Sequence, residues 1–349
     1  MPQDRSNLDT HNFRTLLSNA LDLRRPLIGE TQAYRVFSGE ADGVPGVFVD
    51  LYGQGAVLII YEGTAPRGFN AEVEAGTVLA LLAPLGARAV YLKIFAKDRS
   101  RLGGELPPGV TNPQPAAGEA LPEAILIREN QWQLEIRLYD GLSTGLFLDQ
   151  RANRAWVSRW VADRCRGNTS ETAVLNTFAY TCAFSIAAAV GGTRNGVVGG
   201  VGTTSVDVSG RYLDWGKRSF AHNGIDIAAH RFARMDTFEF FAYAGRKGLR
   251  YDLIILDPPS FASGNKKKKI RPWSAASDYA RLVSEASGLL KPRGVIFAST
   301  NTQDLCRAGR LEREIVKGIG RVPRWVELPA PPIDFARDQD RFAALAFMP

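Results

Sequence analysis

The chain has 349 residues, 45% hydrophobic and 23% charged, a globular balance that excludes a largely disordered protein and is long enough for two domains. Lys and Arg outnumber Asp and Glu by 43 to 36, a net charge of +7 that leans towards polyanionic partners without naming one. Three scattered cysteines exclude a disulfide framework or zinc cluster, and no run of about 18 apolar residues offers a membrane span, so a cytoplasmic chain without a signal peptide is expected.

Strand-like runs at 33–37, 47–52 and 56–61, a helical pattern at 70–82 and a further run at 89–94 predict a small α+β unit. Between the first two runs, Gly39-Glu40-Ala41-Asp42-Gly43-Val44-Pro45-Gly46 is a dense turn signal. Residues 102–123 are rich in Pro, Gly and Ala and read as a linker, which puts the domain boundary near it: 1–125 and 126–349. The run 132–138, the turn Tyr139-Asp140-Gly141 and the run 145–148 read as a hairpin leading into the second domain. From Ala173 onward, strands at 173–175, 204–208, 253–256 and 295–298 alternate with helical patterns at 184–190, 211–222, 279–290 and 311–319. That alternation predicts a doubly wound α/β domain with a largely parallel sheet, closed by 343–347 beside a weaker strand at 325–328.

In such a sheet, ligands sit beyond the C-terminal strand ends. The first strand ends at Asn176, followed by Thr177-Phe178-Ala179-Tyr180-Thr181-Cys182-Ala183. This turn is either a cradle of backbone N–H groups or an ordinary βα loop, since it lacks the usual glycines. Asp207 closes the second strand and is either a ribose acceptor or a surface acid. It lies 31 residues beyond Asn176 rather than the ~20 of nucleotide folds. The excess is a glycine-rich run at 191–202, expected at the opposite edge and not as a phosphate loop, because it precedes a strand. Asp236, after the short run 231–233, either caps a helix or accepts from an adenine amino group. The most specific feature is Asp257-Pro258-Pro259-Ser260-Phe261: a carboxylate at a strand tip, then prolines that lock φ and hold carbonyls stiffly as acceptors for an amino group. Phe261 is placed to stack on a flat base, or belongs to the core.

These motifs resemble the bacterial 23S ribosomal RNA methyltransferases that use S-adenosylmethionine (SAM), of the cytosine-C5 and guanine-N7 types. The resemblance runs from about Tyr34 to Thr302 and is carried by residues 39–46, Thr144-Gly145-Leu146-Phe147-Leu148-Asp149-Gln150-Arg151, residues 175–181 and residues 257–261. It implies a Rossmann-like methyltransferase domain beside a smaller N-terminal α+β domain that binds substrate, with SAM as cofactor and ribosomal RNA as partner. By this likeness Gln150 and Arg151 approach SAM, and Asn176, Phe178, Tyr180, Thr181, Cys182 and Ala183 surround its methionine part. Asp207 holds the ribose, Asp236 the adenine, and Asp257, Pro258 and Phe261 form the catalytic end. Relatives usually carry glycine at Cys182, so a narrower loop is expected here. About 30 residues precede Tyr34, too few for the PUA-type domain that opens some relatives, so RNA recognition is expected from elsewhere.

Methylating carbon-5 of a pyrimidine requires a thiolate that adds to C6. In the cytosine-C5 relatives that thiol follows the strand here at 295–298, where this chain reads Ser299-Thr300-Asn301-Thr302. Cys306 lies further on and reads as a buried hydrophobe. Transfer to a nitrogen needs only an aligned lone pair, which Asp257 or Asn301 could orient. Lys266-Lys267-Lys268-Lys269 and Arg271 follow Phe261 and read as a phosphate grip or as a solvated loop. A nicotinamide dehydrogenase would show Gly-x-Gly-x-x-Gly after the first strand, which residues 177–182 do not. A methyltransferase of protein or small molecules and a degenerate RNA-binding module remain as alternatives.

Overall fold

The computed structural model describes residues 10–95, 106–107, 109–166, 170–193, 200–262, 264, 272–338 and 341–349. Lys266–Lys269, Arg271 and the middle of the glycine-rich run, 194–199, lie outside the described residues. The chain divides into two units, Met1–Asp149 with Pro332–Arg337, and Gln150–Pro331 with Asp338–Pro349. The division therefore falls later than the expected 125/126.

In the first unit, β1 (Ala33–Ser38), β2 (Val47–Tyr52) and β3 (Gly55–Tyr61) form an antiparallel meander. Helix α2 (Ala71–Leu82) crosses to β4 (Ala89–Phe95), which lies parallel to β3. Asn70 starts α2 by accepting from Glu72 N and Val73 N, both at 3.2 Å, a side-chain N-cap. The two-residue β5 (Ala117–Gly118) pairs with β4, so part of the expected linker belongs to the sheet. Strand residues point alternately to the two faces. Val36, Val49, Leu58 and Val90 thus share a core with Phe13 and Leu17 of α1 (Thr10–Leu23) and with Ala75 and Val78 of α2. The turn after β1 is held by Asp42, which accepts from Ser38 N at 2.7 Å and pairs with the buried Arg24 at 2.6 Å.

The hairpin lies one strand earlier than expected. It joins β6 (Ile125–Glu129) to β7 (Trp132–Ile136) through Asn130, at φ 52°, a left-handed position that Asn tolerates. Residues 145–147 are in no strand, and Tyr139-Asp140-Gly141 is instead gripped from below, Lys93 Nζ donating to Gly141 O at 2.7 Å and Leu142 O at 3.2 Å. Leu121 and Leu138 fill the space over Gly55, and Ile127 lies against Gly53; these contacts keep 126–149 with the first unit. Strand β1 carries a bulge between Arg35 and Phe37. There Asp334 Oδ2 accepts from Arg35 N at 2.9 Å, the Phe335 ring lies under the Arg35 guanidinium, and Arg337 donates to Ala41 O.

The second unit opens with α3 (Arg151–Arg166), followed by β8 (Thr172–Thr177), α4 (Ala183–Gly192), β9 (Val201–Asp207), α5 (Gly210–His222), β10 (Arg231–Arg234), α6 (Thr237–Arg246) and β11 (Tyr251–Leu256). A short hairpin, β12 (Phe261–Ala262) and β13 (Trp273–Ser274), precedes α7 (Ala275–Ser287), β14 (Leu290–Thr300), α8 (Gln303–Cys306), α9 (Arg310–Ile319), β15 (Arg324–Val326) and β16 (Ala343–Met348). The sheet order is β10-β9-β8-β11-β14-β16-β15, with β16 antiparallel to both neighbours. The order reverses between β8 and β11, the switch point of a doubly wound sheet. On β11, Leu253 and Ile255 enter a core with Trp156, Val157 and Phe184, while Ile254 and Leu256 enter another with Phe240, Tyr279 and Leu282. Burial on both faces is why this strand reads as an unbroken apolar run. Gly191 and Gly192 belong to α4 and not to an insertion. A Cβ on Gly191 would stand 2.2 Å from Ser158 O, so α3 and α4 can approach this closely only with glycine there.

Candidate active site

Register brings the expected residues to one edge. Thr177 pairs with both Val206 and Leu256, Val206 with Ala233, and Leu256 with Ala298. The connections after β8, β9, β10, β11 and β14 therefore open together, at the end where such sheets hold ligands.

The connection after β8 departs from an ordinary βα loop. Phe178, Tyr180 and Cys182 have φ of 53°, 49° and 63°, three left-handed residues in alternation and none of them glycine. Each conformation costs of order 1–3 kcal/mol and persists only where the surroundings enforce it. Here they do: Ala179 N donates to Val206 O at 2.9 Å, Cys182 N to Ala179 O at 2.7 Å, and Tyr180 N to Asp207 Oδ2 at 2.9 Å. Ser209 N donates to Asp207 Oδ1 at 2.8 Å. Burial raises the Asp207 carboxyl above the ordinary aspartate range, against these two N–H bonds. A carboxylate has about four acceptor positions, so two bonds leave Asp207 capacity for a ligand hydroxyl.

Behind the loop, the buried Asn176 donates from Nδ2 to Ser185 Oγ at 3.0 Å, and Ser185 shares a 2.8 Å hydrogen bond with Ser205. Asn176 thus anchors the start of α4. Thr181 is buried, and Ala183 opens the helix that Cys182 precedes. The Cys182 side chain does not fill the loop but is fully buried, and a Cβ on Gly216 of α5 would stand 2.5 Å from its Sγ. Gly216 is the notch that admits the cysteine. Burial pushes this thiol up to about 12. Tyr180 packs edge-on against Tyr212, 4.5 Å between centroids. Asp236 caps α6, its Oδ1 accepting from Phe238 N at 2.9 Å and Glu239 N at 3.3 Å.

At the tip of β11, Asp257 Oδ1 accepts from Ser299 Oγ at 2.6 Å and from Gln150 Nε2 at 3.3 Å. Asn153 holds Gln150 in turn, donating to its Oε1 at 2.7 Å. Arg151 is buried beside Gln150 in sequence, at the start of α3. Pro258 is buried and Pro259 exposed. The Pro259 carbonyl accepts from Trp273 Nε1 at 2.7 Å. Ser260 donates to Asn301 Oδ1 at 2.7 Å. Phe261 is 65% exposed and so is no core residue. Cys306 is buried, its Sγ 3.5 Å from Thr300 O. Trp273, Asn153, Tyr212 and Gly216 were missed by the sequence reading, and no periodicity or motif marks them.

These strand tips fit a nucleoside cofactor: a strained N–H-bearing loop, an acid at the end of the second strand, and a capping acid after the third. A family model described as S-adenosylmethionine-dependent methyltransferase matches residues 112–340. The chain belongs to that family. This methyltransferase is 38% identical over 298 residues to YwbD of Bacillus subtilis, whose name gives it provisionally as a ribosomal RNA large subunit methyltransferase, covering 84% of this chain and 68% of that one. It is 32% identical over 266 residues to ribosomal RNA large subunit methyltransferase I of Klebsiella pneumoniae, covering 76% and 59%. The methyltransferase thus spans about three fifths to two thirds of the length of these relatives. The crystal structure of SMU.776, provisionally named a methyltransferase and complexed with SAH, aligns with TM-score 0.77 at 30% identity, over 99% of this chain and 83% of that one.

Proposed function

We propose that this methyltransferase modifies a base nitrogen in large-subunit ribosomal RNA, and that its cofactor lies along the strand tips as the motifs suggest. Bound there, SAM supplies an electrophilic methyl group on its sulfonium. In this reading the 178–183 loop with Gln150 and Arg151 borders the methionine end, Asp207 accepts from the ribose and Asp236 from the adenine amino group. Asp257 and the Pro258 carbonyl accept from the target base and aim its lone pair along the transfer line, while Phe261 stacks on it. The relatives' names support RNA, as does the net charge of +7. An RNA substrate of this kind places the chain in the cytoplasm, and no helix among the described residues is long and apolar enough to cross a membrane.

The choice of nitrogen rests on one observation. The position beside Asp257 on β14 is Ser299, whose hydroxyl is tied to that carboxylate at 2.6 Å, and all three cysteines are buried. No thiolate stands where a C5 mechanism needs its nucleophile. Mass spectrometry of 23S ribosomal RNA from a strain lacking the gene tests the substrate. One base should lose a single methyl group and regain it with the wild-type gene but not with Asp257→Ala. Identical methylation maps with and without the gene would exclude this RNA.

A further inference from the structure

Trp273 lies 14 residues beyond Pro259, yet three parts of the site meet on it. Its indole N–H donates to the Pro259 carbonyl at 2.7 Å. Its ring packs against Phe178 of the cofactor loop, 5.7 Å between centroids, and against Phe238 at the start of α6, 5.9 Å. The side chain is only 5% exposed. Its own backbone is fixed twice over: Ala262 pairs with Trp273 and Phe261 with Ser274 in the β12–β13 hairpin, and Ala275 N donates to Ser260 O at 3.1 Å. Phe238 in turn lies under the Arg281 guanidinium of α7, 4.1 Å from the ring centroid.

We propose that Trp273 is a positioning residue for methyl transfer: its N–H orients the acceptor motif and its ring registers that motif against the cofactor loop. The proposal rests on the reading that Asp257-Pro258-Pro259 faces the methyl acceptor. The physical argument is one of rigidity. Phe178 is held in a left-handed conformation that a loose surrounding would release, and Trp273 supplies part of that enclosure. The prolines fix φ but leave ψ to be set by their surroundings, and the buried indole donor on the Pro259 carbonyl is one contact that sets how this segment is turned. An in-line transfer is sensitive to displacements of about 1 Å, so a change in this hydrogen bond should alter turnover without altering cofactor binding.

The test separates the two parts of the side chain. Trp273→Phe keeps a ring and removes the donor; kcat on 23S ribosomal RNA from the gene-deleted strain should fall roughly tenfold to a hundredfold, with the SAM Kd from calorimetry unchanged and the melting temperature lowered only modestly. Trp273→Ala removes the ring as well and should weaken SAM binding too. Wild-type kcat in Trp273→Phe, or a loss of kcat matched by equal losses of SAM affinity and melting temperature, would overturn the proposal. Asp257→Ala, run alongside, reports on the underlying reading: turnover surviving there means that the motif does not face the acceptor. A third arm needs no acceptor at all. Run in a Trp215→Phe background, because Trp215 lies 6.4 Å from Tyr180 of the 178–183 loop, the change in tryptophan emission on adding SAM should largely vanish on Trp273→Phe, and its persistence would refute the coupling even if the RNA is the wrong substrate.

Discussion

Replacing Gly216 by alanine perturbs the 178–183 loop, proposed to border the cofactor, from behind. The added Cβ would stand 2.5 Å from Cys182 Sγ, 2.8 Å from Cys182 Cβ and 3.0 Å from Thr181 O, about 1 Å inside ordinary contact with the sulfur. The cysteine cannot turn away cheaply, because it is fully buried and its backbone is left-handed and directly precedes α4. Overpacking of this kind costs about 1–3 kcal/mol, and the gain in helix propensity from Gly to Ala returns about 1 kcal/mol. Gly216→Ala should therefore lose up to about 2 kcal/mol of stability. Cys182→Gly alone should be near neutral, since lost burial of about 1 kcal/mol offsets relief of a similar left-handed penalty. In the double variant most of the clash is gone, so a double-mutant cycle by chemical denaturation should show a coupling of about 1–2 kcal/mol. SAM affinity should fall with Gly216→Ala and recover in the double variant. Additive effects would show that the notch at Gly216 is not what accommodates the cysteine.

Asp207→Ala removes the proposed acceptor for the ribose and also the acceptor of Tyr180 N and Ser209 N. SAM binding should weaken by about 1–3 kcal/mol in calorimetry, and an unchanged affinity would place the ribose elsewhere. Burial brings the Lys93 ammonium down to about 8, against the opposing pull of Asp140 and Asp50. Its folded value lies below the unfolded one of about 10.4, so its contribution to stability should rise between these two pH values and be lost as pH falls back through about 8. Melting curves of Lys93→Met over that range should lack the rise, and a rise of wild-type size would assign it to another group. Cys306→Ser should methylate normally, and 5-fluorocytosine RNA should give no covalent adduct on denaturing gels; a trapped adduct would revive the C5 chemistry.

The strands were legible wherever both faces are buried or the pattern alternates: β2, β4 and β11 appear almost where the apolar runs put them. Helix α3 was not, because Arg151, Asn153, Arg154 and Ser158 are all buried in it and hide its apolar stripe from any periodicity test. The hairpin was misplaced because Tyr139-Asp140-Gly141 carries a stronger turn signal than Asn130-Gln131, and only a distant side chain, Lys93, decides what that turn does. The strand-tip residues singled out by the motifs do come to one edge of the sheet, because register follows from the apolar runs. The partners that hold them, Ser299 on Asp257 and Trp273 on Pro259, come from strands and hairpins remote in sequence and carry no pattern of their own. Cys182 suggests a narrower loop in the sequence because its complement, Gly216, lies on another helix.

The return of Pro332–Arg337 to the first unit bears on how the molecule is made. Asp334 covers the N–H that the β1 bulge leaves at Arg35, and Phe335 closes over the same side chain. A ribosome adds about 5–20 residues per second, so the N-terminal unit, though translated first, waits of the order of ten seconds or more before its last piece emerges. During that interval the edge of β1 stands open to other chains, a hazard for any exposed strand. The unit whose strands are made before the second is thus finished after most of it, and fragments cut after Asp149 should be stickier than their composition suggests.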